Sequence, residues 1–293
     1  GILTLLSKQG ALPELTTAGL ITNILVVTAG SMLIMWIGEL ITEFGIGNGV
    51  SLIIFAGIVA SLPGVLSQTV ASYVPSELFT YVLYGIMIFI VVVAVVLVNE
   101  AERHIPITHA KQVRGMQTYG ASQSYVPMRI NQAGVMPIIF ALSILLFPQM
   151  IANFLLDSTI PWLAAGAQGV VDVLSHNIWY PVIYFVMVFG FTYFYTAITF
   201  DPEAMSENLA KSGAFVPGIR PGNATSEYFA TIATRITFFG ATFLGLIAVL
   251  PMVLLSTTGN SAIAIGGTGV LIAVSVVLDL IKKIDAQIAM RQY

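Results

Sequence analysis

A guanidinium held on a rigid turn can grip a carboxylate or a phosphate through two parallel hydrogen bonds. Residues 213–222, reading GAFVPGIRPG, offer Arg220 in that setting. Pro217 and Pro221 fix their own φ and bias Val216 and Arg220 towards extended backbone, while Gly213, Gly218 and Gly222 permit tight reversals between them. The run predicts a stiff, protruding turn with Arg220 near its tip. A partner that docks on such a turn has no floppy loop to freeze. Spacing alone fits equally well a docking surface and a plain connector whose Arg faces water.

Other chemistries lack their parts. A zinc hydrolase of the commonest kind needs two His and a Glu on one helix, and this chain has only His104, His109 and His176 with no HExxH. His104 and His109 fall in a polar loop and read as surface residues. The run FGIGNGVS at 44–51 has no Lys, Lys211-Ser212 has no Gly before it, and Gly45, Gly47 and Gly49 miss the GxGxxG spacing. The absence of cysteine removes disulfides, thiolate metal sites and thiol nucleophiles together. No catalytic residue, metal or cofactor is expected.

The element that must position Arg220 is a membrane-embedded scaffold. Of 293 residues 57% are hydrophobic and 9% charged, where soluble domains carry about 25% charged residues. Mean hydropathy is +0.92. So few charges cannot cover a water-exposed surface, and the chain reads as all-α, a polytopic transmembrane helix bundle treated as one domain over 1–293. A net charge of −3 gives no electrostatic footprint for nucleic acid. Seven stretches are long enough to span: about 20–37, 50–71, 79–98, 133–156, 178–200, 236–255 and 261–281. Residues 157–177 hold Pro161, Trp162 and a mild apolar pattern, which reads as a short helix on the outer interface. Gly1 is not an initiator Met and no cleavable leader precedes the first apolar block, so the chain reads as a fragment.

Cationic loops stay in the cytosol, and the cations here separate by side. Residues 100–132 hold Arg103, Lys111, Arg114 and Arg129, residues 201–235 hold Lys211, Arg220 and Arg235, and the tail holds Lys282, Lys283 and Arg291. Those ten of eleven cations fall on one side, leaving Lys8 opposite. The first span therefore starts outside, and the two long loops and the tail are cytosolic. Each loop far exceeds the usual connection of about five residues, so both are expected to have a function. No span carries a charge at mid-depth, which speaks against an ion-coupled transporter, and Asp279 is expected to pair with Lys282 and Lys283 at the interface. Gly134, Pro137, Gly190, Gly240 and Gly245 fit either ordinary helix packing or movable helices around a pore.

Four runs in order, WIGELITEFGIGNGVSLIIFAGIVASLP, AERHIPITHAKQ, YVPMRINQAGVMPIIFA and LAKSGAFVPGIRPG, resemble the SecY family, channel subunits of the bacterial Sec protein translocase. The likeness covers nearly the whole chain and implies the last seven spans of a likely ten, without the first two, the plug and most of the third. It implies a protein-conducting channel that translocates unfolded preproteins and releases transmembrane helices into lipid, in the bacterial plasma membrane. By this resemblance an apolar pore ring takes Val50, Ile54, Ile139 and Ile272. Such aliphatic collars bind no ion and dewet when closed. On sequence alone each of the four is an ordinary core or lipid-facing aliphatic, although Val50 and Ile54, four apart, share a helix face.

The resemblance also makes the fourth and fifth spans part of a lateral gate, with Asn131 at a polar gate position. A hydrogen bond there is worth about 0.6 to 2 kcal/mol, and the same Asn also fits a plain helix N-terminus. The implied partners are SecE and SecG-type small subunits, the SecA motor ATPase, the ribosome, signal peptides, nascent chains and membrane lipid. Arg220, Lys111 and Arg114 are the implied docking residues. Many relatives have a basic pair where this chain has Met116-Gln117, which implies a weaker contact with ribosomal RNA.

Overall fold

Apolar runs of about twenty residues satisfy their backbone groups in lipid only as helices, and each of the seven apolar stretches forms one. The computed structural model describes residues 17–45, 47–71, 78–109, 112–114, 117–119, 123–156, 160–176, 178–258 and 261–291. In chain order the elements are α1 (Thr17–Phe44), α2 (Gly49–Ala71), α3 (Leu78–Glu100), β1 (Glu102–His109), β2 (Gln112–Arg114), β3 (Gln117–Tyr119) and β4 (Gln123–Arg129). There follow α4 (Met136–Leu155), α5 (Pro161–Ser175), α6 (Trp179–Thr199), α7 (Pro202–Lys211), β5 (Ala214–Phe215), α8 (Asn223–Thr258) and α9 (Ser261–Arg291). Local signals set several starts. Pro161 and Pro202 open α5 and α7, where a missing N–H costs nothing. The Asp201 side chain accepts from the backbone N–H groups of Glu203 and Ala204 at 3.0 and 3.1 Å, capping α7.

Among the described residues, four stretches are long and apolar enough to cross a membrane: Ala18–Phe44, Met136–Leu155, Trp179–Lys211, which includes the break at Phe200 and Asp201, and Asn223–Val253. Shorter apolar helices cover Gly49–Gly64 and Gly85–Glu100. Neighbours form a chain of contacts: α1 packs on α2, α2 on α9, α9 on α3 and α8, α8 on α6, α6 on α4, and α4 on α5. Trp162, on α5, is exposed. The bundle core gathers Val91 and Val95 of α3, Ile138, Ala141 and Leu145 of α4, Tyr184 and Val188 of α6, Leu244, Ile247 and Ala248 of α8, and Ile272 and Val276 of α9.

The two long loops depart most from expectation, because they are folded. Strands β1 and β4 form an antiparallel ladder from Glu102↔Arg129 to Thr108↔Gln123. Strand β5, from the second loop, joins the other edge through Thr108↔Phe215 and His109↔Ala214. One sheet therefore unites both loops in the order β4-β1-β5, so the helical bundle carries a small β-structure that the all-α reading did not include. Its inward face places Ile105, Ile107 and Met128 against Phe229, Ile232, Ala233 and Ile236 of α8, with Ala214 and Val216 completing a second core. Positions 229, 232, 233 and 236 lie at helical spacing. The last predicted loop thus ends early, and α8 begins at Asn223 where a span starting at 236 was expected.

The junction between sheet and bundle depends on one glycine. A Cβ added to Gly240 of α8 would lie 2.6 Å from the carbonyl oxygen of Ile130, just after β4. The obstacle is backbone, so the chain itself must shift. Gly240→Ala is expected to cost about 1 to 3 kcal/mol, as overpacking of a close contact does. Thermal unfolding of the detergent-solubilised protein measures it, and an unchanged midpoint would show that this contact does not hold the junction.

Candidate functional site

Where α3 ends, the hairpin begins and α9 passes by, polar side chains collect at one end of the bundle. The amide of Asn131 donates to Asn99 Oδ1 at 2.8 Å and to the carbonyl of Gly134 at 3.3 Å. The amide of Asn99 donates to Ser275 Oγ at 3.1 Å. Lys282 Nζ donates to the backbone oxygen of Asn99 at 3.1 Å and lies 3.2 Å from Glu100 and 3.7 Å from Glu102. Arg129 stands 3.5 Å from Glu102 and 3.9 Å from Asp279, and Lys283 is 2.6 Å from Asp279. Asp279 thus pairs with Lys283 as its spacing predicts, whereas Lys282 turns away to Glu100 and Glu102.

Asn99, Arg129, Asn131, Ser275, Asp279, Lys282 and Lys283 border a cleft of about 240 Å³ whose wall also includes Asn48, just before α2, Ser51 of α2, Tyr195 and Thr199 of α6, and Gln132. Its wall carries one carboxylate, Asp279, and three cations, Arg129, Lys282 and Lys283; Glu100 and Glu102, which are not part of the wall, pair with Lys282 and Arg129. The side-chain oxygens of Asn131 and Gln132 are buried there without a hydrogen-bond partner. Val135 and Val276 belong both to the cleft wall and to the bundle core, so the apolar cluster adjoins the polar cleft directly.

The four residues expected in a pore ring divide three to one. Ile272 is buried in the bundle cluster, and Ile54 and Ile139 pack against it. Val50 is not in that cluster; it is 42% exposed. A Cβ added to Gly38 of α1 would lie 3.2 Å from Val50 Cγ2, which places Val50 beside α1. Asn131 is 7% exposed and bonds to α3, while Tyr195 and Thr199 of α6 share its cleft. Sequence reasoning missed Asn99, Ser275, Gln132 and the role of Lys282. The available signal was a polar Asn closing an otherwise charge-free apolar run, with Ser275 inside a span.

The Arg220 turn has the conformation its sequence predicts. Gly213, Gly218 and Gly222 all adopt positive φ, at 68°, 84° and 100°. Ile219 N–H donates to the carbonyl of Val216 at 3.1 Å. Pro217 and Gly218 thereby fill the two central positions of a type II turn, where only glycine is comfortable at the second. Val216 is buried beneath and Arg220 is exposed. The turn is tied at its far side, where Thr225 Oγ1 donates to the Arg220 carbonyl at 2.9 Å and Ser206 Oγ to the Gly222 carbonyl at 2.8 Å. In the first loop, Arg114 ends strand β2 opposite Gln117, the last pair before the hairpin tip; Lys111 lies outside the described residues. Among the described residues no group of three or more His, Asp or Glu side chains is placed to hold a metal ion.

The SecY family model matches residues 2–281. A protein translocase subunit SecY of Halalkalibacterium halodurans is 40% identical over 295 aligned residues, covering 97% of this chain and 67% of that protein. The corresponding subunit of a Synechocystis species is 41% identical, covering 92% of this chain and 63% of its own length. The chain thus spans about two thirds of the relatives it matches. A solved structure concerned with the plug domain of SecY and the closed translocation channel superposes with a TM-score of 0.64 at 22% identity, covering 95% of this chain and 69% of that one. A second, described as a protein-conducting channel, also gives 0.64, at 21% identity. At that identity these two show the fold. With four motif runs in order, a family match over nearly all residues and relatives at 40% identity or more, the chain belongs to the SecY family.

Proposed function

We propose that this chain forms the larger part of a protein-conducting channel, passing unfolded polypeptide across the membrane or laterally into it. The observation that carries the reading is the direct contact between a polar cleft and the apolar cluster that holds Ile272 and has Ile54 and Ile139 packed against it. The cleft is its mouth. The buried acceptors of Asn131 and Gln132 suit the main-chain N–H groups that every polypeptide presents, whatever its sequence. The cluster is its seal, since aliphatic side chains hold no ion yet yield to a passing chain. Seven helices cross the bacterial plasma membrane in this reading, with the β-structure, the Arg220 turn and the end of α9 in the cytosol. Asn131 belongs to a lateral gate formed with α4 and α6.

The chain has no catalytic residues of its own. Energy comes from the partner, the SecA motor or the ribosome, that docks on the two cytosolic loops through Arg220, Arg114 and Lys111, and SecE and SecG-type subunits complete the assembly. These 293 residues contain no cysteine, so single cysteines introduced among them can be read once any cysteine elsewhere in the full-length channel is replaced. Single cysteines replacing Ile54, Ile139 and, as a lipid-side control, Phe147, which is 62% exposed, are placed in the full-length channel. A preprotein arrested in transit is expected to cross-link to the first two and not the third. Equal cross-linking at all three positions would sink the pore assignment.

A further inference from the structure

Ile272, Ser275, Val276, Asp279 and Lys282 stand at i, i+3, i+4, i+7 and i+10, so a single face of α9 carries them all. At one end of that face Ile272 and Val276 lie in the bundle core. About 15 Å further along the axis, Lys282 reaches Glu102 at 3.7 Å and Asp279 reaches Arg129 at 3.9 Å. Glu102 and Arg129 are the closing pair of the β1–β4 ladder, opposite one another in register and 3.5 Å apart. Between the two ends, Ser275 accepts from Asn99, which is also bonded to Asn131 ahead of α4. The root of the hairpin therefore holds α9 on the same face that presents Ile272.

We propose that this joint couples the hairpin to the pore seal: a displacement of the hairpin turns or shifts α9, and Ile272 moves with it. The inference rests on the channel reading above and adds a route by which a load on the sheet reaches the seal. The pairs are suited to rearrangement. The side chains of Arg129 and Asp279 are 46% and 45% exposed, and partly solvated ion pairs are individually weak. Packed helices respond to such changes by small sliding and rotation. The backbone between the two ends of the face is helical throughout, so motion at Lys282 cannot be absorbed before Ile272.

The test uses the full-length chain assembled with its small subunits in planar bilayers, with resting potassium chloride conductance as the readout. In the double variant Glu102→Cys, Lys282→Cys the joint is opened, and conductance is expected to rise about tenfold over the unaltered channel. A bis-maleimide with a cleavable disulfide in its linker, bridging the two cysteines, is expected to return conductance to the unaltered level, and reductive cleavage to raise it again. That reversibility separates coupling from misfolding. Ile272→Gly is measured in parallel. If it leaks while the cysteine pair gives the same low conductance open, bridged and cleaved, the seal stands and the joint is overturned. If neither leaks, the seal reading falls and takes the joint with it.

Discussion

Replacing Ile139 or Ile272 by Gly is expected to raise the resting ion conductance of the assembled channel at least tenfold, for which a barrier lower by about 1.4 kcal/mol suffices. Ile272 is 7% exposed in the bundle core and Ile139 packs against that core. Truncation to Gly takes away the whole side chain and leaves space in which water and ions are stable. Shape and polarity make separate contributions, and two controls divide them. Ile139→Leu keeps the apolar volume and is expected to stay sealed, while Phe147→Gly, at a 62% exposed position on the same helix, reports the cost of a glycine in α4 with no change to the seal. Single-channel recording without a partner is the measurement. A conductance unchanged in both Ile variants would remove these residues from the seal.

Arg220→Glu is expected to abolish most partner-driven export while leaving the chain folded and inserted. The turn is held by the Ile219 to Val216 hydrogen bond, by the Thr225 hydroxyl on the Arg220 carbonyl and by Val216 buried beneath it. None of these uses the guanidinium. Among the described residues Arg220 makes no ion pair, so its charge is available to a partner. Losing a desolvated charged contact in an interface costs about 2 to 5 kcal/mol, or a weakening of at least about 30-fold in affinity. Flotation of membranes with bound motor or ribosome, followed by an export assay, reads both quantities. Normal binding and export by the variant would end the docking assignment.

The helices were legible because lipid imposes a simple rule on sequence. A run such as 79–98, with no charge in it, must pair its own backbone. The turn was legible for a similar reason, since Pro217 and Gly218 admit few conformations. The sheet was not. Strand β1, reading ERHIPITH, carries Pro106 and only two buried positions, Ile105 and Ile107, and the residues that bury them come from Phe229 to Ile236, far along the chain. The beginning of α8 was hidden in the same way. Its stripe of Phe229, Ile232, Ala233 and Ile236 is interleaved with Glu227, Thr231, Thr234 and Arg235, so average hydropathy looks loop-like although the spacing is helical. Val50 lies beside Gly38 of α1, a neighbour that spacing within α2 does not reveal.

One helix, α8, contributes to both hydrophobic cores: Phe229 to Ile236 beneath the sheet, then Leu244 to Ala248 within the bundle. Each residue of an α-helix adds about 100° of azimuth and 1.5 Å of length, so these two surfaces are phased against each other like teeth on one shaft. Inserting or deleting a single residue between Ile236 and Leu244 would swing one core out of alignment with its partners. Changes of length over the course of descent should therefore be purged from the shaft.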